Sequence, residues 1–136
     1  MSSILSGSDR QTPRRELGLI SVKVKANAVI LAGHIVVAGS TGFAEPGKTA
    51  TGLTYLGIAD ETIDNTGGAD GDVSILVRTH AAFLLNNLGS DAVDQSLVGK
   101  KCYIHDSTTV CKTSATNTKS ECGVVLELTT EGVWVA

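Results

Sequence analysis

Aromatic residues are scarce in this 136-residue chain, which has two Phe, two Tyr and one Trp. A core must then be assembled from Val, Ile, Leu and Ala, side chains that suit tightly packed small strands. The same scarcity argues against a module that grips sugars or proteins through exposed rings. No apolar run approaches the ~20 residues needed to span a bilayer, and no membrane association is expected. Met1-Ser2-Ser3-Ile4-Leu5-Ser6-Gly7 carries no basic region ahead of an apolar one, so the expected place of synthesis and maturation is a cytoplasm. With 11 Lys and Arg against 14 Asp and Glu, the net charge of -3 leaves no basic footprint for nucleic acid.

Chemistry is missing as well. The sequence has no G-x-S-x-G, no H-E-x-x-H, no glycine loop opening a helix to cradle phosphate, and no carboxylate pair in an apolar setting. Neither an enzyme nor a cofactor or small-molecule substrate is expected. His34 stands alone beside Gly33, whereas a base needs a partner in reach. Cys102, Cys111 and Cys122 are an odd number, unlike the disulfide framework of a secreted domain, and are read as free thiols. With His105 they spell C-x2-H-x5-C-x10-C, but Cys102 and His105 lie three apart in a strand pattern and point to opposite faces, which disfavours zinc. A two-residue turn at Asp106-Ser107 would set His105 opposite Thr108 and Cys102 opposite Cys111.

What is present is β structure. Fifteen glycines and many threonines indicate strands joined by many turns, and the length suits one domain with a single modest core. The clearest stretch is Tyr55 to Arg78, where Leu56, Ile58 and Ile63 precede, and Val73, Ile75 and Val77 follow, the run Asp64-Asn65-Thr66-Gly67-Gly68-Ala69-Asp70-Gly71-Asp72. Alternation with Ser74 and Arg78 gives one buried face, and the intervening run is turn chemistry. Asp64, Asp70 and Asp72 tempt a calcium reading, but Thr66 and Gly68 occupy the positions where an EF-hand needs oxygen ligands.

Ile20, Val22 and Val24 alternate with Ser21, Lys23 and Lys25 as a half-buried strand whose edge needs covering. Two short apolar runs hinge at Gly33, Ser40 to Gly52 reads as loop, and Ala81 to Leu85 reads as a strand ending at Asn86-Asn87. Asp91 to Val98, with Ser90 as N-cap and Gly99 following, is the only helical signal. Lys101 to His105, Thr108 to Lys112, Gly123 to Leu128 and Val133-Trp134-Val135 complete the strands, and Trp134 should tie the end of the chain into the fold. The expectation is an all-β domain over residues 17–136 with at most one short helix. Residues 1–16 form an arm whose composition cannot support a core; Ile4 and Leu5 offer a partner apolar anchors, Arg10, Arg14 and Arg15 offer charge-assisted hydrogen bonds, and the extended backbone can add a strand to a sheet edge. Its alternatives are a frayed terminus and an arm that orders on binding.

The succession Gly57-Ile58-Ala59-Asp60-Glu61, Asp64 to Gly71, Val73 to Arg78, Val98 to Ile104 and Gly132-Val133-Trp134-Val135 resembles a family of small tailed-phage and prophage proteins that look like capsid decoration or cement proteins. The similarity spans roughly Ile35 to Ala136, and the D-N-T-G-G-A-D-G loop and the terminal G-V-W-V are its most specific parts. The resemblance implies a small β-barrel or tulip-like domain that assembles as homotrimers on the outside of the phage head, bound to the major capsid protein. It also implies a virion location at the capsid surface, after synthesis in the host cytoplasm. Two other classes compete: a tail- or fibre-associated binding module, and a small metal-binding accessory protein using Cys102, His105 and Cys111.

Overall fold

The computed structural model describes residues 7–136, and over them the chain is all-β. Its strands are β1 (Leu19–Lys23), β2 (Val29–Ile30), β3 (Ile35–Ala38), β4 (Ala44–Pro46), β5 (Thr54–Ala59) and β6 (Ile63–Asp64), followed by β7 (Ser74–Arg78), β8 (Phe83–Asn87), β9 (Lys101–Ile104), β10 (Thr109–Cys111), β11 (Glu121–Thr129) and β12 (Gly132–Val135). One antiparallel sheet runs β1-β7-β5-β3-β4, and a bridge from Val24 to Ala44 curls its two ends toward each other. The strands β10-β8-β12-β11-β9 close a barrel, in which β10 and β8 form a parallel pair.

These two bodies have separate cores, where sequence length suggests one. Val24, Ile30, Val36, Ala44, Ala59, Ile75 and Val77 fill the curled sheet. Ile35, Val37 and Ile58 point the other way, into the barrel, and meet Leu85, Ile104, Val110, Val125, Val133 and Val135. Ile35, Val36 and Val37 are all fully buried, so β3 has a core on each face and shows no polar alternation. As the lack of aromatics requires, the largest fully buried side chains are all Ile and Val. Phe43, Tyr55, Phe83, Tyr103 and Trp134 are all half-buried.

One extra residue in β5 sets which of its side chains meets which core. Its register against β3 slips between Val36↔Gly57 and Val37↔Tyr55, a bulge that inserts Leu56. Without the bulge, Tyr55 and Ile58 would fall on opposite faces; with it, both pack on the barrel core, while Leu56 and Ala59 pack on the sheet core.

The turn from Asp64 to Asp72 is pinned by a buried Asn65. Its amide donates to the Lys25 carbonyl at 2.9 Å and the Ala69 carbonyl at 3.1 Å, and its backbone N–H donates to Ala28 at 2.9 Å. The three aspartates act as caps: Asp64 accepts from Thr66 N–H, Asp70 from Ala26 N–H and Asp72 from Ala69 N–H. Asn65→Ala would remove both bonds made by this buried amide and is expected to cost about 1–3 kcal/mol, read as a lowered urea midpoint at unchanged slope. A midpoint equal to wild type would mean that the turn holds without this side chain.

Four local expectations are corrected. Ser40 to Gly52 contains β4, whose Pro46 is tolerated because the strand is at the sheet end. Asn86 and Asn87 continue β8, and the Asn87 side chain bonds both the N–H and the carbonyl of Val93. The β9–β10 connection is longer than two residues, with His105 N–H donating to Thr109, so Val110 faces Ile104 and Cys111 faces Tyr103. Asp91 to Val98 holds no α-helix but parts of two 3-10 turns, Gly89–Asp91 and Gln95–Leu97, and the second is capped by Asp94 rather than by Ser90.

Asp94 also receives Lys112 at 2.8 Å, and Asp91 receives the Thr113 N–H at 3.1 Å and hydroxyl at 2.7 Å, tying the 3-10 segment to the end of β10. The Lys112 bond, then the Ser96 bond, holds the Asp94 carboxyl down to about 2 from 3.8, and the Thr113 hydroxyl lowers Asp91. A depressed carboxyl stabilises above its unfolded value, and that contribution fades as pH falls through the folded one. The thermal midpoint should therefore drop between about pH 4 and pH 2, and Asp94→Asn should flatten part of that drop. An unchanged slope in the variant would discount the tie.

Candidate functional site

Among the expected arm residues, Ile4 and Leu5 lie outside the described residues. Arg10, Arg14 and Arg15 sit in an irregular, exposed stretch from residue 7 to 16, and none joins an ion pair among the described residues. This stretch enters β1, which is the terminal strand of its sheet, as the sequence led us to expect of Ile20 to Val24. Thr79 N–H donates to the Gly18 carbonyl at 3.0 Å and Val24 N–H to the Val73 carbonyl at 2.9 Å. The even-numbered positions of β1 therefore bond β7, and Leu19 and Ser21 turn their backbone groups to the open part of the edge, which closes onto β4 beyond them where Lys25 N–H donates to the Ala44 carbonyl at 2.9 Å.

The face beside that edge is apolar for a surface. Leu17 is 64% exposed, Leu19 47% and Leu76 36%, with Leu19 opposite Arg78 and Ser21 opposite Leu76. A cleft of about 370 Å³ adjoins it, lined by Gly18, Leu19, Asp60, Arg78, His80 and Phe83 among others. Arg78 is held by Asp60, and His80 takes φ +55° at the corner between the two bodies. A free strand edge flanked by leucines suits an extended chain, bound through backbone hydrogen bonds with side-chain contacts alongside.

Two polar constellations form that sequence spacing hides. His34 Nδ1 lies 2.7 Å from Ser107 Oγ, and Ile35 N–H donates to the Ser107 carbonyl at 2.7 Å, so the pair fastens the start of β3 to the β9–β10 loop. A serine nucleophile also needs its histidine oriented by a third group, and no such bond to His34 occurs among the described residues. Lys119 Nζ lies 3.2 Å from His105 Nδ1 and 3.3 Å from Cys111 Sγ. Only the folded chain shows these contacts, because each depends on where a distant loop returns.

The C-x2-H-x5-C-x10-C set divides in two. Cys102 and Cys122 lie in the barrel core, whereas Cys111 pairs with Tyr103 on the opposite face. Hydrogen bonding to Cys122, then burial, pushes the Cys102 thiol up, and burial raises Tyr55, whose hydroxyl has no partner within the described chain.

No family model, curated protein or solved structure matches the chain.

Proposed function

We propose that the protein is a capsid decoration protein of a tailed phage or prophage, a homotrimer that binds the major capsid protein on the outer head surface and stabilises the shell. The observation that carries this reading is a cationic arm that leads directly into β1, a terminal strand whose edge is open at Leu19 and Ser21 and flanked by exposed leucines. Such an arrangement suits a clamp: the open part of β1 offers backbone bonding and the arm entering it adds reach. Sixteen residues of extended arm span up to about 50 Å, enough to cross to a neighbouring subunit or capsomer. Leu84, its cross-strand partner Trp134, and Leu126 stand on adjacent barrel strands, with Leu84 38% and Leu126 48% exposed. That row is apolar enough to serve a subunit contact.

The test is to mix the purified protein with emptied phage heads and sediment them, with light scattering on the free protein. Co-sedimentation at a fixed ratio to the capsid subunit, and a trimeric mass, are expected. A protein that stays in the supernatant at micromolar concentration is not a decoration protein, and a monomeric mass removes the trimer.

A further inference from the structure

Cys111 is fully buried, yet it does not belong to either hydrophobic core. Its neighbours Val110 and Ile104 turn into the barrel, so the thiol points outward and is covered by the chain between β10 and β11. Lys119 of that chain reaches back to place Nζ 3.3 Å from Sγ, while the thiol donates to the Thr113 carbonyl at 3.4 Å. The thiol hydrogen is thus turned away, and the sulfur lone pairs face the lysine nitrogen. On its other side Nζ meets His105 Nδ1 at 3.2 Å, and both Lys119 and His105 are half-exposed, which opens a route for small oxidants.

We propose that Cys111 and Lys119 form an oxidative modification site, in which peroxide joins them through an S–O–N bridge. In the first step hydrogen peroxide converts the thiol to a sulfenic acid: an S–O bond forms, the peroxide O–O bond breaks and one water leaves. A sulfenic acid ordinarily condenses with a second thiol. Here Cys102 and Cys122 lie inside the barrel on the opposite face of β9, and the group in contact is the lysine nitrogen.

Lys119 must be neutral to react, and His105 Nδ1 is placed to take its proton. A second peroxide then removes the sulfenic O–H hydrogen and one N–H hydrogen, the O–N bond forms, and two waters leave. Sulfur and nitrogen each give up two electrons, and each peroxide accepts two. Burial pushes the Cys111 thiol up, Lys119 opposes that and Asp91 adds a little to the rise, so the first step is slow and calls for excess peroxide. Asp106 brings negative charge beside His105.

The experiment is intact-mass measurement of protein purified without reductant, then treated with millimolar hydrogen peroxide and denatured. A gain of about 14 Da, one oxygen added and two hydrogens lost, is expected, reversed by dithiothreitol and mapped to a peptide joining Cys111 to Lys119. Cys111→Ala and Lys119→Gln should each abolish it. If the cysteine variant fails to fold, the lysine variant and the wild-type map still decide the matter. The proposal is overturned if the gain persists in Lys119→Gln, if Cys111 remains free to alkylation, or if Cys111 gains about 32 Da as sulfinic acid while Lys119 remains free to acylation.

Discussion

Gly57→Ala is expected to lower the unfolding free energy by about 4 kcal/mol, which would leave only about 1 kcal/mol at the low end of the usual range of stability. Two costs add. Gly57 has φ +150°, a backbone region that L side chains rarely adopt and that costs them about 1–3 kcal/mol. A methyl there would also overlap the Arg78 carbonyl and crowd the Val77 side chain, and neither can retreat because Ile58 and Ala59 pair with Arg78 and Val77. The bulge at this position puts Tyr55 and Ile58 on the same face of β5, so relieving the strain would mean losing that phase. Thermal unfolding should show a midpoint lower by roughly 10 °C or more. Gly89→Ala, where an added methyl meets open space, is the control expected to change little. A Gly57→Ala midpoint within about 2 °C of wild type would show that the bulge does not constrain β5.

How far the sequence revealed this fold depends on how many faces each strand buries. β1 and β7 each have one face on a core and one exposed, so Ile20, Val22, Ile75 and Val77 alternate with polar or exposed neighbours and were readable. β3 is buried on both faces, so Ile35-Val36-Val37 carried no phase, and the presence of two cores could not be inferred from it. β4 was hidden because three residues with Glu and Pro do not look like a strand; buried Glu45 is accepted because Lys48 reaches it at 2.6 Å and Lys25 at 3.6 Å. The β9–β10 register depends on loop geometry rather than on pattern, and one residue of extra loop replaced Cys102 by Tyr103 as the partner of Cys111. The free edge of β1 and the cationic character of the arm were legible because both follow from local composition. The leucines and the cleft beside that edge were not, since Leu19, Leu76 and His80 converge only through the pairing of β1 with β7.

On the decoration role and trimer proposed above, deleting residues 2–15 should leave the β-domain folded while weakening head binding about tenfold or more, close to 1.4 kcal/mol per binding event. The fold should persist because residues 7–15 are all exposed and contribute no side chain to either core. Binding should suffer because Arg10, Arg14 and Arg15 can each make a charge-assisted hydrogen bond to an acidic shell, and Ile4 and Leu5 add apolar anchors. Ordering such an arm costs free energy, so one arm contributes modestly and three arms on one trimer multiply the loss through effective concentration. Replacing the three arginines by glutamine separates charge from backbone pairing: a charge-led arm loses most of its affinity and its salt dependence, whereas a strand-adding arm retains much of its affinity and shows little salt dependence with or without the arginines. Co-sedimentation across a salt series, with circular dichroism to verify the fold, gives the answer. If the truncated chain decorates heads as well as the full chain, the arm is only a loose end, and the contact must be sought on the leucine face beside β1 or on the row of Leu84, Trp134 and Leu126.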